Sequence, residues 1–389
     1  MSWPMVKLKD CCTVVGGATP KRNISEYWDS RDVPWVTPKD ISKLSNKVLD
    51  DAPEYISQIG FDKCATYLLP KGSVLLTSRA PIGNVAIAGR DMCTNQGFKS
   101  LVPSDCIDST YLYYCMLMHS PKLEALGNGA TFKEVSKKIV EEFEIPLPPL
   151  AEQKRIASIL DKADAIRRKR QQAIELADEF LRAVFLDMFG DPVMNPKGWE
   201  LKPLKDIAKV TTGNTPSRKE EKFYGDYIEW IKSDNINTPS HFLTLANEYL
   251  SKEGAKVGRT APIGSTLVTC IAGSFDCIGN AAYADRDVAF NQQINALTPK
   301  KGVSSWFLYA LILFSKKHIQ AASTNSMKGM VSKGKMEQIL MINPPESKQI
   351  EFEKKFLNYL KMNEDLINSF NACSVLFSSL SQRVFSDGL

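Results

Sequence analysis

The chain has 389 residues, which is too long for one ordinary domain, so its length predicts two or three units that each have their own core. Hydrophobic residues make up 43% of the chain and charged residues 24%, as in globular proteins, and no apolar run approaches the roughly 18 to 20 residues of a membrane span. The net charge of +5 is small, which excludes a histone-like protein.

The cysteines and histidines do not follow the pattern of a metal site or a disulfide framework. The nine cysteines are odd in number, extend from Cys11 to Cys373 without a CxxC pair, and share the chain with only three histidines. The segment from Met1 to Asp10 lacks the basic flank and apolar core of a secretory signal. We therefore expect a cytoplasmic protein with no metal, no cofactor and no membrane attachment.

The first part of the chain, up to about residue 145, is typical of a mixed α/β domain. It is rich in glycine, proline and short β-type runs, such as Ser73 to Thr77. Gly72 marks the turn into this buried strand, and Tyr111 to His119 predicts a short helix on the sheet.

A long helix is predicted next, because proline suits the first turn of a helix and glycine suits the position after its end. Pro148 and Pro149 precede the helix, and Gly190 ends it. Apolar residues recur along it at heptad spacing, which predicts a stripe that packs on a partner helix. The stripe residues are Ile156, Ile159, Ala163, Ile166, Phe180 and Val184.

The second half of the chain repeats the first. Trp3 falls on Trp199, an offset of 196 residues, and this register holds through the half apart from short shifts at loops. The pairs that carry the alignment are Gly17 with Gly213, Thr19 with Thr215, Pro20 with Pro216, Trp35 with Trp230, Ile82 with Ile278, Gly83 with Gly279, Asn84 with Asn280, Asn95 with Asn291, Gln96 with Gln292, Val135 with Val331, and Gln153 with Gln349.

The repeat predicts the same elements in the second half. Thr266 to Thr269 is a buried strand entered by a turn at Gly264, and Trp306 to Lys317 is a helix. A second long helix follows Pro344 and Pro345. Its stripe residues are Phe352, Tyr359, Leu366 and Leu380.

Two copies of one domain-plus-helix unit define the predicted architecture. The fold class is α+β, with a pseudo-twofold internal repeat of two mixed α/β domains separated by two long helices. The predicted segments are a first domain at 1–145, a first helix at 146–190, a second domain at 191–342 and a second helix at 343–389.

None of the candidate catalytic motifs in the sequence is complete. Asn343, Pro344 and Pro345 are similar to the Asn-Pro-Pro-aromatic loop of amino-methyltransferases, but Glu346 stands where the aromatic residue belongs. A nuclease needs clustered carboxylates with a lysine, and Glu200 beside Lys202 lacks an acidic partner upstream. Neither a dinucleotide-binding nor a phosphate-binding glycine-rich loop is present. The chain is therefore predicted to be non-catalytic.

Polar residues in loops recur at the same places in both halves but differ in identity. Arginine, asparagine, glutamine and serine read base edges, and lysine holds phosphates, so two domains that read different base sequences explain this pattern. Ordinary divergence of loops after duplication is the alternative. The candidate DNA-binding residues are Lys21, Arg22, Asn23, Ser78, Arg79, Lys133, Lys137, Ser217, Arg218, Lys219, Ser274, Lys328 and Lys333.

The segment from Ile145 to Pro192 closely resembles the central conserved helix of the DNA-specificity subunits of type I restriction-modification systems. The framework motifs with Gly17, Trp35 and Ile82 are similar to those of the target-recognition domains of that family, and each recurs in the second half. The resemblance covers essentially the whole chain. The second helix, which carries Ser369 and Ser374 among several serines, matches the family less closely.

The resemblance implies a DNA-binding subunit that reads an interrupted, two-part site in double-stranded DNA. It also implies antiparallel helices that set the gap between the half-sites, and a scaffold for two methyltransferase subunits and two ATP-dependent restriction or translocase subunits that carry the catalysis. A single-chain restriction-modification enzyme and a purely structural scaffold are the alternatives. The first lacks its catalytic motifs here, and the second leaves the divergent polar loops unexplained.

Overall fold

The structure is a computed structural model that describes residues 3–79, 81–129, 133–323 and 329–386. The chain divides into two compact units. Unit 1 contains residues 1–171 and 368–389, and unit 2 contains residues 172–367. Each unit therefore combines one of the repeated domains with part of both long helices.

Unit 1 begins with short elements and leads into the first long helix, α6, which continues into unit 2. Its strands are β1 (Met5–Lys7), β2 (Cys12–Gly16), β3 (Val33–Val36), β4 (Val48–Leu49), β5 (Glu54–Ile56), β6 (Val74–Ser78), β7 (Ile82–Ala88), β8 (Cys93–Thr94), β9 (Lys99–Pro103) and β10 (Glu144–Pro146). Its helices are α1 (Leu8–Cys11), α2 (Pro38–Ser42), α3 (Gln58–Asp62), α4 (Ser109–Ala125), α5 (Lys137–Glu142) and α6 (Leu150–Phe189).

The sheets of unit 1 are mixed. The main sheet has the order β2-β9-β6-β7-β4, in which the β4–β7 pair is parallel and the other pairs are antiparallel. A smaller sheet has the order β5-β3-β8, and β3 runs parallel to β8. Antiparallel pairing of β1 with β10 brings the start of the domain beside the residues that lead into α6.

Unit 2 repeats this plan, and the second long helix, α12, continues from it into unit 1. The strands are β11 (Leu201–Pro203), β12 (Ala208–Thr212), β13 (Tyr224–Ile231), β14 (Tyr249–Leu250), β15 (Thr260–Ala261), β16 (Thr266–Thr269), β17 (Ala281–Tyr283), β18 (Val288–Phe290), β19 (Ile294–Pro299) and β20 (Leu340–Ile342). The helices are α7 (Leu204–Ile207), α8 (Lys252–Val257), α9 (Ser305–Phe314), α10 (Lys316–Ala321), α11 (Lys333–Gln338) and α12 (Glu346–Ser386).

The sheets of unit 2 have the orders β12-β19-β16-β17 and β14-β13-β18-β15, and β11 pairs with β20 as β1 does with β10. The parallel pair β13–β18 corresponds to β3–β8. These sheets confirm the predicted mixed α/β domains and the internal repeat. None of the helices in the described ranges combines the length and the apolar character that a membrane span requires.

Both long helices begin directly after their predicted proline pairs. The helix α6 spans 40 residues and ends before Gly190, whose φ of +76° is a left-handed conformation that favours glycine. The Gly190 N–H donates to the carbonyl of Leu186 at 2.8 Å, which closes the last turn. The predicted turns at Gly72 and Gly264 are also confirmed, with φ of +88° and +87°.

A buried glutamine joins each long helix to its own domain. In unit 1 the Nε2 of Gln153 donates to the carbonyls of Pro148 (2.8 Å) and Cys106 (2.9 Å), and its Oε1 accepts from the N–H of Asp108 (2.9 Å). Asp108 in turn caps α4, because its side chain accepts from the backbone of Thr110 and Tyr111. The start of α6 and the start of α4 are therefore held by one side chain.

Unit 2 repeats this contact. Gln349 donates to the carbonyl of Pro344 at 2.8 Å and accepts from the N–H of Ser304 at 3.0 Å, and Ser304 caps α9. Both glutamine side chains are almost completely buried. A buried amide that lost these partners would carry the full cost of desolvation, so the helix and its domain are fixed together.

The packing of α6 in unit 1 differs from the heptad prediction. Ile156 is fully buried, but the predicted packing residues Ile159 and Ala163 are only half-buried and Ile166 is 52% exposed. The next buried residues are instead Ala157 and Leu160, so the buried position lies one residue after Ile159. The reason is that α6 packs into the core of the domain, where residues four apart face one side, and not only into a two-helix seam. The predicted Leu380 on α12 is half-buried against the same core.

In unit 2 the buried position on α6 is again one residue after the predicted one. Phe180 is 60% exposed, and its neighbour Leu181 is buried in its place. The predicted residues Phe352 and Tyr359 are buried, and Val184 and Leu366 are half-buried.

The two helices run antiparallel within unit 2. The Tyr359 hydroxyl donates to Asp178, whereas Phe185, further along α6, packs on Phe352, earlier in α12, with 5.4 Å between the ring centroids.

A histidine network ties the second domain to both helices of unit 2. His241 is half-buried, with Nδ1 2.9 Å from the Tyr309 hydroxyl and Nε2 2.9 Å from the Tyr359 hydroxyl. The Asn363 amide also donates to the Tyr359 hydroxyl at 3.1 Å. Burial lowers the pKa of His241, and the nearby carboxylate of Asp178 opposes this effect only in part.

Substitution of Gly17 by alanine should unfold the first domain at a markedly lower urea concentration. A Cβ there would lie 2.1 Å from the carbonyl oxygen of Thr94 and 2.3 Å from that of Asn95, and backbone atoms cannot move aside cheaply. We expect a loss of about 3 kcal/mol or more. The adjacent Gly16→Ala variant is the control, since its Cβ would meet no atom closer than 4.0 Å. Equal urea midpoints for the two variants would contradict this account.

The stability of unit 2 should fall as the pH drops below about 6.5. The folded-state pKa of His241 is lower than the ordinary value of 6.5, so the unfolded chain binds the proton more readily. The contribution is complete above pH 6.5 and is lost as the pH falls through the folded-state pKa. Urea unfolding between pH 7 and pH 5 should show a weaker pH dependence for His241→Gln than for the unsubstituted chain. The same pH dependence in both would show that another group is responsible.

Candidate functional site

Two glycines allow the loops after β2 and β12 to lie directly on the sheets of their domains. An ideal Cβ on Gly17 or on Gly213 would approach backbone carbonyl oxygens to 2.1 Å, so neither position accepts a side chain. The following loop is then held by an indole group. Trp35 Nε1 donates to the carbonyl of Ala18 at 3.0 Å, and Trp230 Nε1 donates to that of Asn214 at 3.3 Å.

A threonine and a glutamine meet at the same edge of both domains. Thr19 Oγ1 donates to Gln96 Oε1, and Thr215 Oγ1 donates to Gln292 Oε1. Both glutamines are exposed, so the rest of each amide faces solvent. We call the surface around each pair the polar edge of its domain.

In the first domain, two aromatic rings and a carboxylate surround the guanidinium of Arg22 beside the polar edge. We call this arrangement the arginine clasp. The guanidinium carbon lies 3.8 Å from the ring centroid of Trp28 and 4.7 Å from that of Trp35. Arg22 Nη2 also donates to Glu54 at 2.7 Å. The guanidinium is therefore fixed by two rings and one carboxylate, although about half of the side chain remains exposed.

The second domain repeats the clasp with Arg218. Its guanidinium carbon lies 4.6 Å from the ring centroid of Tyr224 and 5.0 Å from that of Trp230, and Nη1 lies 2.7 Å from Glu248. Hydrogen bonds from Arg218 and then from Lys232 hold the pKa of Glu248 below its usual range. The bond to Glu248 likewise raises the pKa of Arg218. Two of the three predicted arginines, Arg22 and Arg218, are thus engaged within the protein, which their sequence context alone did not show.

The other predicted residues of the first domain lie at three places. Lys21 and Asn23 are exposed beside the arginine clasp, and Lys133 and Lys137 are exposed near the start of α5. The prediction that Ser78 contacts DNA is corrected by the structure, since Ser78 is only 1% exposed. It ends β6, a strand whose residues are all buried, so its hydroxyl cannot reach a ligand at the surface.

Arg79 follows Ser78 and lies beside residues that the sequence reasoning did not select. Its Nη1 is 3.9 Å from Glu134, and Lys99 Nζ is 3.4 Å from the other oxygen of the same carboxylate. Lys99 lies within a strand and Glu134 is acidic, so neither belongs to the basic and uncharged polar loop residues that the sequence pattern indicates.

In the second domain, Ser217, Lys219, Ser274 and Lys333 are all exposed. Lys333 forms a 3.6 Å ion pair with Glu337 in the same helix. Lys328 lies outside the described residues. Gln292 and Gln293 are not among the predicted residues of this domain. The Asn-Gln pair that recurs in both halves is the sequence signal that marks this edge.

The polar edges offer hydrogen-bonding groups. In the part of the chain that the structure describes, no group of three or more His, Cys, Asp and Glu side chains is placed to hold a metal ion. Amide and hydroxyl groups beside cationic groups can contact base edges and phosphates.

Two cavities of about 580 and 760 Å³ flank His241 in unit 2. Residues 238–241 line both cavities, whereas Thr215 and Gln292 of the polar edge line neither.

Sequence comparison finds one family in both halves of the chain. The family described as Type I restriction modification DNA specificity domain matches residues 2–176 and again residues 196–370. The MjaIX specificity subunit of a type I restriction enzyme from Methanocaldococcus jannaschii is 36% identical over 251 residues, which are 60% of this chain and 58% of that relative. The chain spans less than two thirds of the length of the curated relatives that it matches.

Two solved structures share the fold. One is the type I restriction-modification S subunit from M. genitalium, with a TM-score of 0.56 and 14% identity over 99% of this chain and 96% of that chain. The other was solved to study complex assembly and conformational transition of the type I R-M system. It has a TM-score of 0.59 and 14% identity over 100% of this chain and 98% of that chain.

Substitution of Arg22 by methionine should destabilise the first domain by about 1 kcal/mol, because it removes the cation from two aromatic rings and a carboxylate. Lys21→Met is the matched control, since the exposed Lys21 side chain is adjacent in sequence and lies outside the clasp. The midpoint of urea unfolding measures the difference. Equal midpoints would mean that the clasp contributes nothing to stability.

Proposed function

The chain belongs to the type I restriction modification DNA specificity domain family, and from this premise we propose that it reads a two-part sequence in double-stranded DNA, one part with each domain. One observation carries the proposal. The two domains share their glycine contact, threonine–glutamine pair and arginine clasp, yet differ in the polar side chains around them. A common framework with different reading groups suits two different half-sites.

Affinity in this proposal comes from exposed lysines that contact phosphates. Such contacts carry no sequence information and weaken as the salt concentration rises. The polar edge supplies the base contacts. The candidates for phosphate contact are Lys21, Lys133, Lys137, Lys219 and Lys333.

We further propose that this chain is the non-catalytic member of a larger complex. Two methyltransferase subunits would catalyse methylation, and two ATP-dependent restriction or translocase subunits would catalyse cleavage. The complex would act in the cytoplasm, where the DNA lies. Exposed apolar residues on the long helices support a docking role. They are Ile166, Leu176, Phe180, Met362, Val375 and Leu376. The length of the two long helices would set the gap between the half-sites. The segment boundaries at 145, 190 and 342 would separate the domains that read DNA from the helices that space them.

Exchange of residues 1–145 for those of another family member should change one half of the methylated site and leave the other half unchanged. The measurement is methylome sequencing of a restriction-free host that expresses the chain with its methyltransferase partner. Exchange of residues 191–342 is the matched control, and it should change only the other half. If either exchange altered both halves, the two domains would not read independently. If the methylated motif did not depend on this chain at all, a purely structural scaffold would become the better interpretation.

A further inference from the structure

The backbone identifies one position at the polar edge of unit 1 that can be compared directly with unit 2. At the end of β6, the Ser78 N–H donates to the Gly97 carbonyl at 2.7 Å, and the Val135 N–H donates to the Ser78 carbonyl at 2.9 Å. These bonds set the next residue, Arg79, in a β-bridge opposite Glu134.

Unit 2 makes the same two bonds at the end of β16. The Cys270 N–H donates to the Gln293 carbonyl at 2.7 Å, and the Val331 N–H donates to the Cys270 carbonyl at 3.0 Å. Ile271 then forms a β-bridge with Met330. The pairs Arg79–Glu134 and Ile271–Met330 therefore occupy the same position of the framework, which we call the bridge position.

The bridge position of unit 1 is charged. Glu134 lies 3.9 Å from Arg79 and 3.4 Å from Lys99, so one carboxylate faces two cations. Arg79 and Glu134 remain 35% and 41% exposed, whereas Lys99 is 15% exposed. The groups that face solvent are thus the guanidinium of Arg79 and the carboxylate of Glu134. The less exposed ammonium group of Lys99 contacts the same carboxylate.

The bridge position of unit 2 is apolar. Met330 is 38% exposed, and Ile271 is half-buried. The residue at the place of Lys99 is Asn295, because Lys99 pairs with Gly16 in β2 as Asn295 pairs with Thr212 in β12, and Asn295 is buried. No cation therefore replaces Lys99 at this point of the described framework.

A longer loop adds an aromatic ring to the apolar position. Ile82 follows Arg79 by three residues, whereas Ile278 follows Ile271 by seven. The additional residues include Phe275, which is 53% exposed and lies against the backbone of Gly329, next to Met330. Gln293 is joined to the bridge position through its backbone, since its carbonyl accepts from the N–H of Ile271 at 3.1 Å, and its side-chain Oε1 accepts from Asn291 Nδ2 at 3.1 Å.

We propose that the bridge position determines specificity, and that unit 1 reads a G·C base pair there while unit 2 reads an A·T base pair. In the major groove, guanine offers two acceptors that suit an arginine, and the amino group of its cytosine partner suits a carboxylate. Thymine instead offers a methyl group that suits an apolar or phenylalanine contact, and adenine suits a glutamine amide. The charged pair of unit 1 matches the first set, and Ile271, Phe275 and Gln293 match the second. This inference rests on the proposed DNA-reading function.

The test is the double variant Arg79→Ile with Glu134→Met, which gives unit 1 the bridge residues of unit 2. Methylomes are compared between hosts that express the full chain or the variant with the methyltransferase partner. The preference for G·C at one base pair of one half-site should fall about tenfold to a hundredfold, the range expected when one good base contact is lost. The other half-site should not change. Arg90→Ile is the matched control, since it removes an arginine from an exposed 3.7 Å ion pair with Asp51 elsewhere in the same domain.

The possible results separate this inference from the proposed function. A chain-dependent motif that the double variant leaves unchanged would overturn the inference and leave the proposed function standing. Absence of any motif that depends on the unsubstituted chain would reject both. If circular dichroism shows that the double variant is unfolded, Arg79→Gln, which keeps a polar side chain at the surface, replaces it with the same expected outcomes.

Discussion

The buried glutamine at the start of each long helix is the contact on which the arrangement of each unit depends. Gln153 and Gln349 hold the first turn of a helix against the cap of a second helix in the same domain. Both amides are almost inaccessible to water, so the cost of breaking these bonds is not repaid by hydration. The first turn of each long helix and its own domain are therefore fixed to each other.

The repeat made most of the fold predictable from the sequence. Proline pairs and a glycine placed the limits of α6, because these residues act through the backbone and do not need tertiary context. The packing stripe was misplaced by one residue at Ile159 and Phe180, since the heptad prediction assumed a two-helix seam. Whether an apolar helix residue meets a partner helix or a domain core depends on distant parts of the chain.

The candidate site could be predicted only in part, for a physical reason that Arg22 illustrates. Its position in a polar loop was evident, but its partners Trp28, Trp35 and Glu54 come from three later segments that the sheet brings together. The bridge position was less accessible still. Arg79 and Ile271 do not share the overall offset of the repeat, because unit 2 has fewer residues than unit 1 between Trp230 and Gly264 and regains them only in the longer loop after Ile271. Only the backbone hydrogen bonds show that the two residues correspond.

The division of the chain has a consequence for how the protein is made. Unit 2 is one continuous segment, whereas unit 1 is completed by residues 368–389, which leave the ribosome after all of unit 2. At ordinary elongation rates, that delay is roughly 10 to 40 s. During it, Tyr111 and Tyr114 lack the rings of Phe385 and Phe377 that later pack on them. The nascent chain therefore carries an uncovered apolar face on its first domain while its second domain is being synthesised, an interval in which chaperones can bind it.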